Sequence, residues 1–311
     1  MPRTLSPGHL LTCPPLTWSS LPMPNLLQSL LEPLSYPFMV RGLIAAAMVG
    51  IVCALVGTYV VLQGMAFFGD ALAHSILPGV AVGYLVSGGA REMLFWWALL
   101  TAMLAALGIG AVSKGAQIKE DTAIGIVFVG MFALGIALIS TMRSYTVDLV
   151  HFLFGDVLGV SQGDLLLTAA FGLLVIVTII AFYKEFLVIS FDPILAETLR
   201  LRSNRLRYLL LLLIAVAIVV SLQTVGVALM LGMLITPAAT AYLLTRRMLP
   251  MMAVAALIGV LSSVAGLYLS YYAGVASGAA IVLVCTAIFA VVALFAPGRG
   301  WVWQRRRIDG R

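Results

Sequence analysis

The sequence predicts an all-α, polytopic integral membrane helical bundle with eight or nine transmembrane helices. Three observations carry this. Only 10% of the 311 residues are charged, whereas a soluble domain carries about 25%. Mean hydropathy is +1.12. Apolar runs recur along nearly the whole chain, each of about 20 residues and so long enough to cross about 30 Å of hydrocarbon. The net charge of +6 does not indicate nucleic acid, because the basic residues sit in short loops between apolar runs. Cys13, Cys53 and Cys285 show no CxxC or zinc-finger spacing, so neither a disulfide framework nor a structural zinc site is indicated.

Residues 1–36 differ from the rest. Prolines recur from Pro2 to Pro24 among Ser, Thr and Gly, with no long apolar run. They lack the signal-peptide pattern of basic start, apolar middle and small-residue cleavage site. A poorly ordered extension is expected, with a short interfacial helix near Leu26–Leu34. A start at Met23 would serve equally well. A transmembrane domain over 37–297 and a basic tail over 298–311 follow.

The expected spans, in order, are Phe38–Leu62, Ala71–Val86, Met93–Val112, Thr122–Met142, Leu165–Phe182, Leu206–Leu222, Val225–Leu244, Met251–Tyr272 and Ser277–Phe295. Basic residues in the loops set orientation. With the N-terminus outside, the inner loops hold Lys114, Lys119, Lys184, Arg200, Arg202, Arg205, Arg207, Arg246 and Arg247. The tail adds Arg299, Arg305, Arg306, Arg307 and Arg311. That places 14 of the 18 basic residues inside and leaves Arg3, Arg41, Arg91 and Arg143 outside. The orientation is therefore N-out and C-in, with the C-terminus cytoplasmic. The segment around Pro78 is the weak point of this count, since it can also be read as re-entrant or broken.

The most informative stretch is Gly69-Asp70-Ala71-Leu72-Ala73-His74-Ser75-Ile76-Leu77-Pro78-Gly79. Read as a helix from Asp70, residues i and i+4 stack on one face. Asp70 and His74 would then grip one cation between an oxygen and a nitrogen. An ionisable pair at membrane depth is expensive and marks a functional site by default. The alternative is that Asp70 only caps the following helix, with His74 bonded to a carbonyl. The membrane depth of the pair stays open: near the inner face on a simple count, nearer the middle if the segment is re-entrant.

An internal echo accompanies this stretch. Leu62-Gln63 is followed fifteen residues later by Pro78, and Leu222-Gln223 fourteen residues later by Pro237. On the topology above, the first pair lies at the inner face and the second at the outer face. That is the arrangement of an inverted repeat, whose pathway lies between two halves. Chance agreement is an equal reading in so biased a composition. The second copy has no counterpart of Asp70 or His74. Gln63, Gln223, Pro78 and Pro237 are candidates for lining a pathway; the glutamines alternatively satisfy backbone freed near a helix break. His151 reads as a surface histidine on an interfacial helix or, alternatively, as a residue that helps receive an ion at the outer side, and Glu120 and Asp121 read as charges complementing a helix dipole.

The longest cytoplasmic segment runs from Tyr183 to Arg205. Asp192 before Pro193 is a helix start, a capping side chain ahead of a proline at the first position. The helix is expected to run through Pro193, Ile194, Leu195, Ala196, Glu197, Thr198, Leu199 and Arg200 to Leu201, with Ile194, Leu195, Thr198 and Leu199 as its apolar side. It either docks on a partner or lies on anionic headgroups.

Several strings taken in order resemble one family. They are Gly69–Gly79, Phe154-Gly155-Asp156-Val157-Leu158-Gly159-Val160, Phe182-Tyr183-Lys184-Glu185-Phe186, Ser190-Phe191-Asp192-Pro193, Leu222-Gln223-Thr224-Val225-Gly226-Val227, Ile235-Thr236-Pro237-Ala238-Ala239-Thr240-Ala241 and Gly266-Leu267-Tyr268-Leu269-Ser270-Tyr271-Tyr272 with Ser277-Gly278. Over about residues 36–296 the chain is similar to the membrane permeases of bacterial ABC importers for manganese, zinc and iron. The resemblance implies the type II, vitamin-B12-importer-like permease fold in the bacterial plasma membrane. It implies three partners: a second copy of the chain, a cytoplasmic ABC ATPase subunit that uses the ATP, and an extracytoplasmic metal-binding protein. It makes Asp70 and His74 the metal-contacting pair, and Asp192–Arg200 the coupling helix that enters a groove on the ATPase. Arg200 stands where relatives often have the glycine that ends this helix, which implies an ATPase surface adapted to a basic residue. Gln63-Gly64 stands where relatives often carry basic residues.

The chemistry agrees with that reading. Carboxylate plus imidazole suits borderline divalent ions such as manganese, iron(II) and zinc. Two ligands are too few for a closed site, so water, carbonyls, other helices or a symmetry mate must complete the shell. His74 ligates only when neutral, so uptake should weaken in acid. No Gly-x-x-x-x-Gly-Lys-Ser/Thr loop occurs, so no ATP site of that kind is expected and the chain is read as non-enzymatic, without a bound cofactor. Alternating access driven through the coupling helix follows. The rival is an ATP-independent secondary carrier using Asp70 as a proton-coupled site, which has no need of a cytoplasmic docking helix. A purely structural subunit is disfavoured by the Asp and His in an apolar span.

Overall fold

The structure, a computed structural model, describes residues 31–88, 91–141, 157–191, 193–199 and 202–296. Residues 1–30, 89–90, 142–156 with His151, Asp192, Arg200, Leu201 and 297–311 lie outside the described residues.

Helix α1 (Pro37–Leu62) is followed by α2 (Phe68–Ser75) and α3 (Leu77–Ser87). Next come α4 (Arg91–Gly115) and α5 (Glu120–Ser140). Then α6 (Gln162–Ala181), α7 (Tyr183–Phe191) and α8 (Pro193–Thr198) follow one another closely. The chain continues in α9 (Ser203–Val225), α10 (Val227–Leu244), α11 (Met248–Ala273) and α12 (Ser277–Phe295). With α2 and α3 taken together, nine helices among the described residues are long and apolar enough to cross a membrane. They coincide with the nine expected spans to within a few residues.

Helices in lipid gain little from burying apolar surface, so close packing through small residues holds them together. Helix α1 shows this along its length. A Cβ on Gly50 would stand 3.1 Å from the Gly259 carbonyl carbon of α11. A Cβ on Gly57 would overlap the Leu234 carbonyl oxygen of α10. Ser263 of α11 donates a hydrogen bond to the Ala46 carbonyl at 3.0 Å, and the Cys53 thiol donates to Ser221 of α9 at 3.2 Å. Helices α5, α6 and α12, by contrast, leave most of their apolar surface outward, as lipid-facing helices do.

Contacts define two ends of the bundle. At one end Arg207, near the start of α9, donates to Ser113 near the end of α4 at 3.3 Å and pairs with Glu120 at the start of α5. Gln63 after α1 and Ser190 of α7 meet here too. Leu62 packs with Ala241 and Met251, which brings the α10–α11 junction to the same end. This is the basic end, because Lys114, Lys119, Lys184, Arg202, Arg205, Arg246 and Arg247 lie on these termini. The far end holds the start of α1, where a Cβ on Gly42 would touch the Val157 carbonyl, and the α11–α12 turn, where Ser270 donates to the Val275 carbonyl.

The structure departs from expectation in two places. The second span begins at Phe68, before Ala71, and is interrupted at Ile76. Pro78, second in α3, has no N–H to continue the ladder, and Ile76 stays in the right-handed region (φ −76°, ψ −15°), so the chain kinks but keeps its direction. Tyr183–Phe191, read from sequence as a segment before a helix, is itself helical and follows α6 after a break at Phe182. The helix begun at Pro193 is described as far as Thr198, whose hydroxyl donates to the Leu195 carbonyl at 2.8 Å; its expected end at Leu201 lies outside the described residues.

Candidate metal centre

Helix α1 closes at Gln63, and Gly64 (φ 72°) turns the chain back, a conformation glycine adopts without penalty. Phe68 and Met65 are buried, so the returning segment is packed into the bundle. Helix α2 shows a different side to each neighbour. Gly69 faces α10, where a Cβ would crowd the Leu231 and Leu234 side chains. Asp70 and His74 lie towards α5, whose Phe128 and Phe132 rings flank the imidazole with centroids 6.1 and 5.7 Å away. Phe67 packs edge-on against Phe128 as well.

These contacts fix the depth that the sequence left open. Phe128 and Phe132 stand eight and twelve residues into α5, about 12 and 18 Å along a helix about 30 Å long. Leu234 stands seven residues into α10, about 10 Å along a helix of about 27 Å. Both neighbours put the pair near the middle of the spans.

Asp70 is the third residue of α2 and His74 the seventh, so they stack on one face as i and i+4. His74 Nε2 stands 3.5 Å from Asp70 Oδ1. Two bonds of about 2.1 Å to one ion place adjacent donors about 3.0–3.4 Å apart for octahedral to tetrahedral angles. The pair is thus nearly spaced to share an ion. Neither side chain makes another polar contact with a described residue, and Asp70 does not cap α2, which has no side-chain cap. The side chains are 31% (His74) and 37% (Asp70) exposed, so their lone pairs are open to a ligand. No group of three or more His, Cys, Asp and Glu able to hold a metal occurs among the described residues. Two donors in an aromatic wall bind a divalent ion only with help from water or another chain.

The other candidates are placed as follows. Gln63 Nε2 donates to Ser190 Oγ at 3.0 Å. Gln223 Nε2 donates to Asp164 Oδ1 at 3.2 Å. Pro78 is buried beside Gly135 of α5, and Pro237 is buried inside α10. In α8, Leu195 is exposed, as is Leu199 just after it, while Ala196 is buried. Sequence reasoning missed Asp164. It closes a capping box with Ser161 at the start of α6, and Thr168 beside it bonds Thr224 at 2.6 Å. The Ser-x-x-Asp spacing is a capping signal that was open to view. A cavity of about 560 Å³ at the far end, between Val157, Val225 and the α11–α12 turn, has no charged residue in its lining and offers a cation no carboxylate or imidazole.

The chain matches the ABC 3 transport family over residues 35–296. The manganese transport system membrane protein MntC of Halalkalibacterium halodurans is 46% identical over 277 residues, covering 88% of this chain and 94% of that protein. Its namesake from Listeria monocytogenes is 47% identical over 274 residues, covering 88% and 96%. Among solved structures, PsaBC from Streptococcus pneumoniae in complex with Fab superposes with a TM-score of 0.77 at 37% identity, covering 90% of this chain and 100% of that one.

Proposed function

The chain belongs to the ABC 3 transport family, and from that premise we propose that it is the membrane permease subunit of an ATP-driven importer whose cargo is a divalent transition metal, manganese. The observation that carries this is the Asp70–His74 pair, 3.5 Å apart and open to a ligand near the middle of the spans. Carboxylate and imidazole match the borderline divalent ions, and the names of the relatives favour manganese among them. Asp70 supplies negative charge that offsets the desolvation of a dication, and His74 supplies a neutral nitrogen. A second copy of the chain, meeting this one along the open face of α2 and α5, brings its own pair and completes the shell.

The rest of the machine follows from the same family. A separate ATPase subunit at the basic end hydrolyses ATP, and an extracytoplasmic binding protein delivers the ion at the far end. The basic end faces the cytoplasm of a bacterium, in keeping with the positive-inside rule, which makes the chain N-out and C-in. The segment Asp192–Arg200 is the coupling helix, and the exposed Leu195 and Leu199 support that role. ATP-driven movement of this segment switches the pair between outward and inward exposure.

The test is uptake of radioactive manganese by membrane vesicles carrying this chain with its ATPase and binding protein. Uptake that requires ATP is the expected result. Uptake driven by a proton gradient without the ATPase would instead establish the secondary-carrier reading.

A further inference from the structure

Two polar links tie the flanks of α8 to the two elements that enclose the metal pair. Helix α7 leads into α8, and Ser190 stands three residues before Pro193. Its Oγ accepts a hydrogen bond from Gln63 Nε2 at 3.0 Å. Gln63 begins the return that reaches Asp70 seven residues later. The Tyr59 and Phe186 rings meet beside this bond, with centroids 5.8 Å apart. On the other side, α9 follows α8, and Arg207 stands nine residues after Thr198. Arg207 pairs with Glu120, the first residue of α5, and donates to Ser113 at 3.3 Å. The Phe128 and Phe132 rings of α5 flank His74.

We propose that the Gln63–Ser190 hydrogen bond and the Arg207–Glu120 ion pair are the links that carry movement of α8 to the metal pair, so that Gln63, Ser190, Arg207 and Glu120 are positioning residues. The inference rests on the permease reading above. Its physical basis is the difference between polar and apolar contacts. Packed apolar helices slide past each other by shear, whereas a hydrogen bond holds only over a narrow range of distance and angle. Displacement of α7 therefore moves Gln63 with it, and Gly64 turns that motion into α2. Displacement of α9 moves the start of α5, which carries the aromatic wall. The pair is thus reached from both flanks of α8, by the helix that bears it and by the helix that covers it. On this account Gln63 does not line the pathway.

The experiment measures metal moved per ATP hydrolysed by the complete assembly in vesicles. The variants are Gln63→Leu, Ser190→Ala and Glu120→Gln, each at matched membrane level. The expected result is a ratio lowered about threefold or more, the scale of coupling changes along such networks, with the half-saturating metal concentration unchanged. Two further variants guard against simple misfolding. Gln63→Glu keeps an acceptor for the Ser190 hydroxyl and should retain the ratio. The exchange Glu120→Arg with Arg207→Glu should recover most of what Glu120→Gln loses. Transport and hydrolysis falling together at constant ratio would overturn the inference, as would a shifted half-saturation at constant ratio. A wild-type assembly that moves no metal with ATP would sink the permease reading itself, whereas wild-type transport with unchanged ratios sinks only this inference.

Discussion

Leu62-Gln63 and Leu222-Gln223 close their helices at opposite ends of the bundle, and the chain leaves each in a different way. After Gln63 it reverses at Gly64, re-enters as α2 and kinks at Ile76 before Pro78. After Gln223 the helix runs on to Val225, turns at Gly226 (φ 83°, ψ 170°) and passes through Pro237 without interruption. The first stretch carries a carboxylate and an imidazole at mid-depth, while α10 carries no charged residue. The two meet directly, since Gly69 lies against Leu231 and Leu234 of α10, and Gly57 of the preceding α1 lies against Leu234 as well. The first stretch bears the candidate ligands, and the second packs behind them. Proline alone therefore does not make a site: both stretches carry one, but only α2 adds ionisable side chains, Asp70 and His74, each about a third exposed, whereas α10 is uncharged.

The contrast can be broken most severely at its point of contact. Gly57→Val would drive side-chain atoms into the Leu234 backbone. A cost of about 3 kcal/mol is expected for such overpacking, read as loss of folded protein from the membrane. Removing the tie on the second copy should cost less. Asp164→Ala leaves the half-buried Gln223 amide and the start of α6 without their acceptor, at about 2 kcal/mol. Thermal unfolding in detergent measures this, and metal half-saturation per folded molecule should be unchanged. Ligand loss distinguishes the two stretches chemically. His74→Ala should cut transport per folded molecule about tenfold or more, whereas Asp164→Asn should leave it unchanged. Of the two turns, Gly64 is expected to show the smallest effect of all. Gly64→Ala, with open space around its Cβ, should cost about 1 kcal/mol for its positive φ. Gly226→Ala should cost about 2 kcal/mol, because its φ and ψ fall in a region nearly exclusive to glycine. Paired melting curves would reveal the order.

The nine spans were legible because membrane thickness sets a length that apolar runs must meet. The Asp70–His74 pairing was legible because i and i+4 share a helix face. Its depth was not, since it depends on how far Gln63–Phe67 returns and on what Leu234 and Phe128 pack against, all of which are tertiary facts. The Arg207–Glu120 pair joins residues 87 positions apart, which no local pattern signals. Helix α7 was overlooked because Tyr183–Phe191 is too short and too mixed to register as a span. The Ser-x-x-Asp spacing of the capping box at Ser161 and Asp164 is a local signal, whereas the Gln223–Asp164 bond joins distant parts of the chain and has none.

The most direct measurement is the cellular content of manganese, zinc, iron and cobalt with the intact importer, and with Asp70→Asn or His74→Ala at equal membrane levels. The account expects one metal, manganese, to fall in both variants to the level of cells lacking the transporter, about tenfold or more for loss of a ligand. Unchanged contents of all four metals in both variants would contradict it and make the pair structural.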